Sequence, residues 1–275
     1  MSAGSEAAAV VGGTTAAPAA PSTTYSSYLE LGTVLRAQHP RTDAHEELLF
    51  IIVHQAHELW FKQLIAEFAE LRRALADGDT ARALQCLHRS GTVFRVLIGH
   101  LDVLETMTPG QFAAFRHRLD GSGFQSAQFR EIETVLGARD HDVPLRYPEG
   151  SAERKRLRAA LGAPSVFDAY LSYLALGGYR VPAELLDRDV SRPLEASPEL
   201  TEVLRTVYRE NGVATRLAEG LVDIDQLLQE WRYRHVTMVA RTIGGRSGTG
   251  GTAGAAYVRA GLFKTMFPWL WAVRN

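Results

Sequence analysis

A single cysteine, Cys86, occurs in 275 residues. This excludes an internal disulfide framework and any multi-cysteine zinc or iron–sulfur site, and it fits a reducing, cytoplasmic setting. No charge sign dominates either. Thirty Lys and Arg stand against thirty-one Asp and Glu, so no global positive field draws nucleic acid or an anionic membrane surface. Long apolar runs are missing. The longest, Leu48 to Val53, falls far below the roughly 20 residues that cross a bilayer. The first positive side chain is Arg36, so neither a secretory signal nor an arginine-rich transit peptide is expected. Period-2 alternation and repeats of 20–50 residues are also lacking, which argues against sheets and solenoids.

What the chain does have is helical spacing and enough apolar residues, 46%, to exclude disorder of the whole. Residues 1–24 are Ala, Ser, Thr, Gly and Pro with little to bury, and they read as a disordered tail. A single domain is expected over 25–275. In 46–76, Leu49, Ile52, Val53, Ala56, Trp60, Leu64, Phe68 and Leu71 recur at three and four residues and form one apolar stripe. Gly78 and Asp79 stop it. Further helices are predicted over 80–104, from Thr108-Pro109 onward, over 124–136, 152–161, 165–176, 198–210 and 213–243, and finally over 255–267. Ser165 and Ser197 stand at N-cap positions. The expected fold is all-α, a helical bundle.

Three features could carry chemistry. The glycine-rich stretch 244–254 lacks GxxxxGK[ST], and it follows a helix where a dinucleotide fingerprint needs a strand. It reads either as an interhelical linker or as a ligand loop whose N–H groups and Thr249 hydroxyl suit a carboxylate. His54 and His57 lie three residues apart in the most apolar helix, as satisfied core histidines or as ligand-contacting bases. His235 sits in WRYRHVTMVARTIGG among Trp231, Met238 and Val239. A neutral imidazole in a dry slot between helices is what proximal haem ligation needs, and Arg232, Arg234 and Arg241 are placed to meet propionates. A plain core histidine is the competing reading. Cys86 reads as a small buried hydrophobe.

Six blocks, in order, carry a resemblance: YSSYLEL at Tyr25–Leu31, ELLFIIVHQAHELWFK at Glu47–Lys62, LETMTPGQFAAFR at Leu104–Arg116, GSGFQSAQFR at Gly121–Arg130, WRYRHVTMVARTIG at Trp231–Gly244 and GTGGTAG at Gly248–Gly254. Together they resemble the tryptophan 2,3-dioxygenase family, from about Tyr25 to the C-terminus. The resemblance implies a helical bundle enclosing a haem b pocket, with L-tryptophan and O2 as substrates. The product would be N-formyl-L-kynurenine, made in the first step of the kynurenine pathway.

Residue by residue, the resemblance implies His235 as the proximal iron ligand and His54 as the distal histidine that accepts the indole N–H. Phe50 would pack on the indole, while Arg116 and Thr249 would grip the amino-acid end. Ser122 and Gly123 match the loop at the distal haem face. Tyr25, Tyr28 and Leu29 match an arm, about 25–40, that reaches into a neighbouring subunit of a homotetramer. Phe112 stands in the substrate site where a tyrosine is expected, Leu101 where bacterial relatives carry a tryptophan, and His57 where a smaller residue is commoner. These departures keep two alternatives in view: a haem monooxygenase or dioxygenase of the same family acting on a substituted tryptophan in secondary metabolism, and a non-catalytic haem or tryptophan sensor.

Overall fold

The computed structural model describes residues 23–119, 126–244 and 258–274. Two units are distinguished, one ending at His39 and one beginning at Pro40. The first holds two single-turn helices, α1 (Tyr25–Tyr28) and α2 (Leu31–Val34). Thr24 and Ser27 form a reciprocal capping box at α1. Tyr25 and Tyr28 are exposed. The disordered tail expected over 1–24 falls almost wholly outside the described residues.

The second unit is built on three long helices: α3 (His45–Ala76), α4 (Thr80–Leu104) and α11 (Val213–Ile243). Around them lie α5 (Pro109–Arg116), α6 (Ala127–Leu136), α7 (Ala152–Leu161), α8 (Val166–Leu176), α9 (Ala183–Leu186), α10 (Pro198–Glu210) and α12 (Pro268–Ala272), with a 3₁₀ turn at Pro144–Arg146. No strand occurs among the described residues, so the fold is all-α. No helix among them is long and apolar enough to cross a membrane.

Local chemistry explains the helix boundaries. Gly78, at φ 71°, turns α3 into α4 in a conformation that costs other residues strain. Thr108 and Gln111 box the start of α5, with Pro109 in the first turn, where no N–H is needed. Ser165 caps α8 reciprocally with Asp168, and Ser197 caps α10. At the start of α3, Glu47 accepts from the N–H groups of Arg41 and Thr42 (both 2.8 Å) and from the Thr42 hydroxyl (2.6 Å), which ties the preceding loop to the helix.

Packing follows the apolar stripe. Leu64, Phe68 and Leu71 of α3, Leu97 and Leu101 of α4, and Leu217, Leu221 and Leu228 of α11 are buried in one continuous core. Helices α4 and α11 approach closely at Gly220, where an added Cβ would sit 2.9 Å from Leu87 Cδ1. Of the last helix expected over 255–267, Val258 and Arg259 are helical; over 260–267 the expectation is corrected, because the chain turns, Phe263 adopts a left-handed φ of 61°, and a further short helix forms at Pro268–Ala272. A tertiary contact overrides local propensity there. The buried Asp225 carboxylate of α11 accepts from the Met266 and Phe267 N–H groups and from Trp271 Nε1, holding the segment against α11.

Candidate functional site

A cavity of about 370 Å³ lies between α3, α4, α6, α11 and the C-terminal segment. The three long helices bring His54 and His57, Leu101, and Trp231 with His235 to its wall. Residues far apart in the chain thus meet because α3 and α11 both flank the core.

His54 stands on α3, one turn after Phe50. Its Nδ1 lies 2.7 Å from the Phe50 carbonyl oxygen, which can only accept, so Nδ1–H donates. Burial holds the imidazole below its ordinary pKa despite the nearby Glu58 carboxylate. A neutral ring with its hydrogen on Nδ1 presents Nε2 as an acceptor. The Phe50 ring packs on His54 at 4.0 Å and against Phe112 at 5.8 Å and Phe115 at 5.4 Å. Phe112 and Arg116 share a face of α5, with the guanidinium 6.0 Å from the Phe112 ring centre. Gln111 Nε2 donates to Glu46 Oε1 (2.6 Å), which fixes α5 against α3. A continuous path therefore runs from the cavity through His54, Phe50 and Phe112 to a cation.

His235 lines the cavity from α11, stacked on the Trp231 indole at 4.9 Å and 11°. Burial, with smaller effects from His54, His57 and Arg130, pushes its pKa down to about 3. The imidazole is uncharged near neutral pH, the form that donates a lone pair to a metal.

The expectation for the three arginines of α11 is corrected in part. Arg234 pairs with Asp102 and Glu105 at the end of α4, and Arg241 reaches Glu105 at 3.8 Å, so these two are turned to the α4 carboxylates. Arg232 does line the cavity, but it is held by Glu133 (2.6 Å) and by the Lys264 carbonyl (2.7 Å). The cavity's other cations, Arg130, Arg146 and Lys264, were not singled out as site residues from sequence. Arg130 ends the GSGFQSAQFR block, and its place in that block is the sequence signal for it.

Leu101 is buried and lines the cavity, so a small aliphatic side chain occupies that part of the wall. Ser122, Gly123 and Thr249 lie outside the described residues. Tyr25, Tyr28 and Leu29 belong to the first unit, all three exposed.

The family model for tryptophan 2,3-dioxygenase matches residues 11–159 and 165–275. A protein named tryptophan 2,3-dioxygenase from Anaeromyxobacter sp. (strain K) is 50% identical over 92% of this chain and 95% of its own length. Proteins of the same name from Herpetosiphon aurantiacus and Caulobacter vibrioides are 48% and 41% identical, covering 91% and 92% of this chain and 97% of each relative. Nearly full-length matches of this strength leave one conclusion: the chain belongs to the tryptophan 2,3-dioxygenase family.

Proposed function

We propose that this chain is a haem-dependent oxidoreductase that cleaves the indole C2–C3 bond of L-tryptophan with O2, giving N-formyl-L-kynurenine and so opening the kynurenine pathway. Both oxygen atoms end in the product, as carbonyl oxygens on the former C2 and C3. The observation that carries the reading is that His54 and His235, both held neutral by burial, line one cavity in a chain of this family.

The residues present suit haem b. His235 offers an uncharged imidazole, Trp231 and Phe129 supply an aromatic wall, and Lys264 puts a cationic group at the cavity for a propionate, with Arg130 and Arg146 beside it on Glu133 and Asp140. Iron porphyrin, when bound, supplies dioxygen binding and the redox chemistry. The protein's part is orientation and the exclusion of water. His54 Nε2 accepts the indole N–H and fixes the rotation of the ring. Phe50 packs on its face. Arg116 and Thr249 hold the carboxylate and ammonium end, where a guanidinium fork matches carboxylate geometry. Ser122 and Gly123 take the distal-side role that the family resemblance implies, and Phe112 closes the amino-acid end without a phenol.

Residues 25–275 act as the catalytic domain after a tail of 24 residues. Tyr25, Tyr28 and Leu29 reach a neighbouring subunit of a homotetramer, in keeping with their exposure. A cytoplasmic setting fits the lone thiol: Cys86 is fully buried, and burial pushes its pKa up to about 11. A second reading, a substituted tryptophan as substrate, is favoured by Leu101 on the cavity wall.

The test is aerobic incubation of the reduced, haem-loaded protein with L-tryptophan under labelled dioxygen. Formylkynurenine absorbance and two labelled atoms per product are expected. One labelled atom in a ring-closed product, or turnover confined to substituted tryptophans, would overturn the assignment.

A further inference from the structure

Three buried ring nitrogens at the junction of α3, α4 and α11 have no hydrogen-bond partner: His57 Nε2, His100 Nδ1 and Trp231 Nε1. His57 and Trp231 are only 8% and 7% exposed, so bulk solvent does not serve them. Buried polar atoms are nearly always paired, by protein or by an ordered water.

The chemistry of the three is complementary. The Val53 carbonyl oxygen, 2.9 Å from His57 Nδ1, can only accept, so the hydrogen of His57 is on Nδ1; the Leu97 backbone also approaches the ring, but Nε2 makes no hydrogen bond of good geometry and is left as an acceptor. Burial keeps this ring neutral, with its pKa pushed down to about 4. The indole Nε1–H of Trp231 can only donate. The His57 ring lies 6.3 Å from Trp231 at 53°, and 5.3 Å from His100 at 62°, centre to centre. None of the three nitrogens bonds to another, and both neighbouring rings lie around His57, a set that calls for a small molecule able both to donate and to accept.

We infer that a single water is bound here, accepting from Trp231 Nε1–H, donating to His57 Nε2 and meeting His100 Nδ1 as its third partner, and that His57 is thereby a positioning residue for Trp231. Three partners are typical of a buried structural water. Phe129 at 4.7 Å and Phe61 at 6.1 Å pack on the same indole but give it no direction within its plane. The hydrogen bond supplies that direction. Because Trp231 stacks on His235 one turn along α11, a fixed indole also fixes the plane of that imidazole. The water site stands on the three nitrogens alone; its bearing on the iron rests on the reading of His235 given above.

The experiment is ultraviolet resonance Raman spectroscopy of the full-length haem-loaded protein. Trp231→Phe identifies the band of this indole among the four tryptophans. The hydrogen-bond-sensitive mode is expected at its bonded position in the wild type, at its unbonded position in His57→Leu, and back at the bonded position in His57→Gln. A Trp231 band already unbonded in the wild type, or unmoved by His57→Leu, overturns the inference. The wild-type and Trp231→Phe difference decides the matter even if His57→Leu does not fold. A crystal structure is expected to show a solvent peak within hydrogen-bond distance of all three nitrogens, and an empty niche would refute it. In the ferrous protein the iron–histidine stretching band should shift in His57→Leu and return in His57→Gln. Complete absence of that band from the wild type would instead overturn the assignment of His235, leaving the water site to its own test.

Discussion

Replacing Asp225 by asparagine removes a charge without removing volume, and the structure sets the size of the effect. The carboxylate is fully buried. It accepts from Met266 N–H at 3.0 Å, Phe267 N–H at 3.3 Å and Trp271 Nε1–H at 3.0 Å. A hydrogen bond to a charged acceptor contributes about 1.5–3 kcal/mol, against about 0.5–1.5 for a neutral pair. Neutralising one acceptor of three bonds therefore costs about 3 kcal/mol, and the new amide N–H₂ group also turns a donor toward other donors. The loss should be local as well as global, because Lys264 and Met266 of the pinned segment line the cavity. Urea unfolding of wild type and Asp225→Asn gives the energy, and amide hydrogen exchange at Met266 and Phe267 gives the locality. A destabilisation below about 1 kcal/mol with both amides as protected as in the wild type would refute the pinning argument.

Other perturbations have equally definite outcomes. His57 and His235 refuse protons in the folded state down to pH values of about 4 and about 3, whereas the unfolded chain takes them up below its ordinary value of 6.5. The stability of haem-free protein should therefore be full above pH 6.5 and fall as pH drops toward 4, by up to about 1.4 kcal/mol per pH unit for each histidine. Urea midpoints at pH 7, 6 and 5 check this, and a flat profile contradicts it. Arg116→Ala removes one charge-assisted contact of about 1.5–3 kcal/mol, so tryptophan binding should weaken at least tenfold with haem content unchanged. Calorimetric titration that finds unaltered affinity would remove Arg116 from the substrate site. Deleting residues 1–24 should leave turnover largely intact, whereas deleting 1–30 should damage both assembly and turnover. A longer truncation that stays tetrameric and fully active would show that the arm assignment is wrong.

The long helices were legible because their apolar residues repeat at three and four and their ends carry local signals. Ser165, Ser197 and Thr108 cap with side chains three residues from their partners, an interaction visible in any short window. The segment 260–267 departs from the helical pattern for the opposite reason. Its conformation is set by Asp225, more than 40 residues earlier, and no local pattern announces that contact. Helical-face arithmetic likewise placed Arg234 and Arg241 on neighbouring faces but could not supply the carboxylates of Asp102 and Glu105 that claim them. For the candidate site, spacing identified His54, His57 and His235 as unusual without saying that they would face one cavity. Meeting across a bundle is a property of helix packing, and only the resemblance joined those positions in advance. The niche at His57, His100 and Trp231 was out of reach for the same reason, since each residue alone looks like ordinary core.

The central claim is that His235 holds the haem iron, and the most direct measurement is the absorption spectrum of purified His235→Ala beside the wild type. The account predicts a wild-type protein with a full Soret band and a pale variant lacking it, with the far-ultraviolet helical signal unchanged between the two. A variant that keeps full haem content and an unaltered Soret band would contradict it.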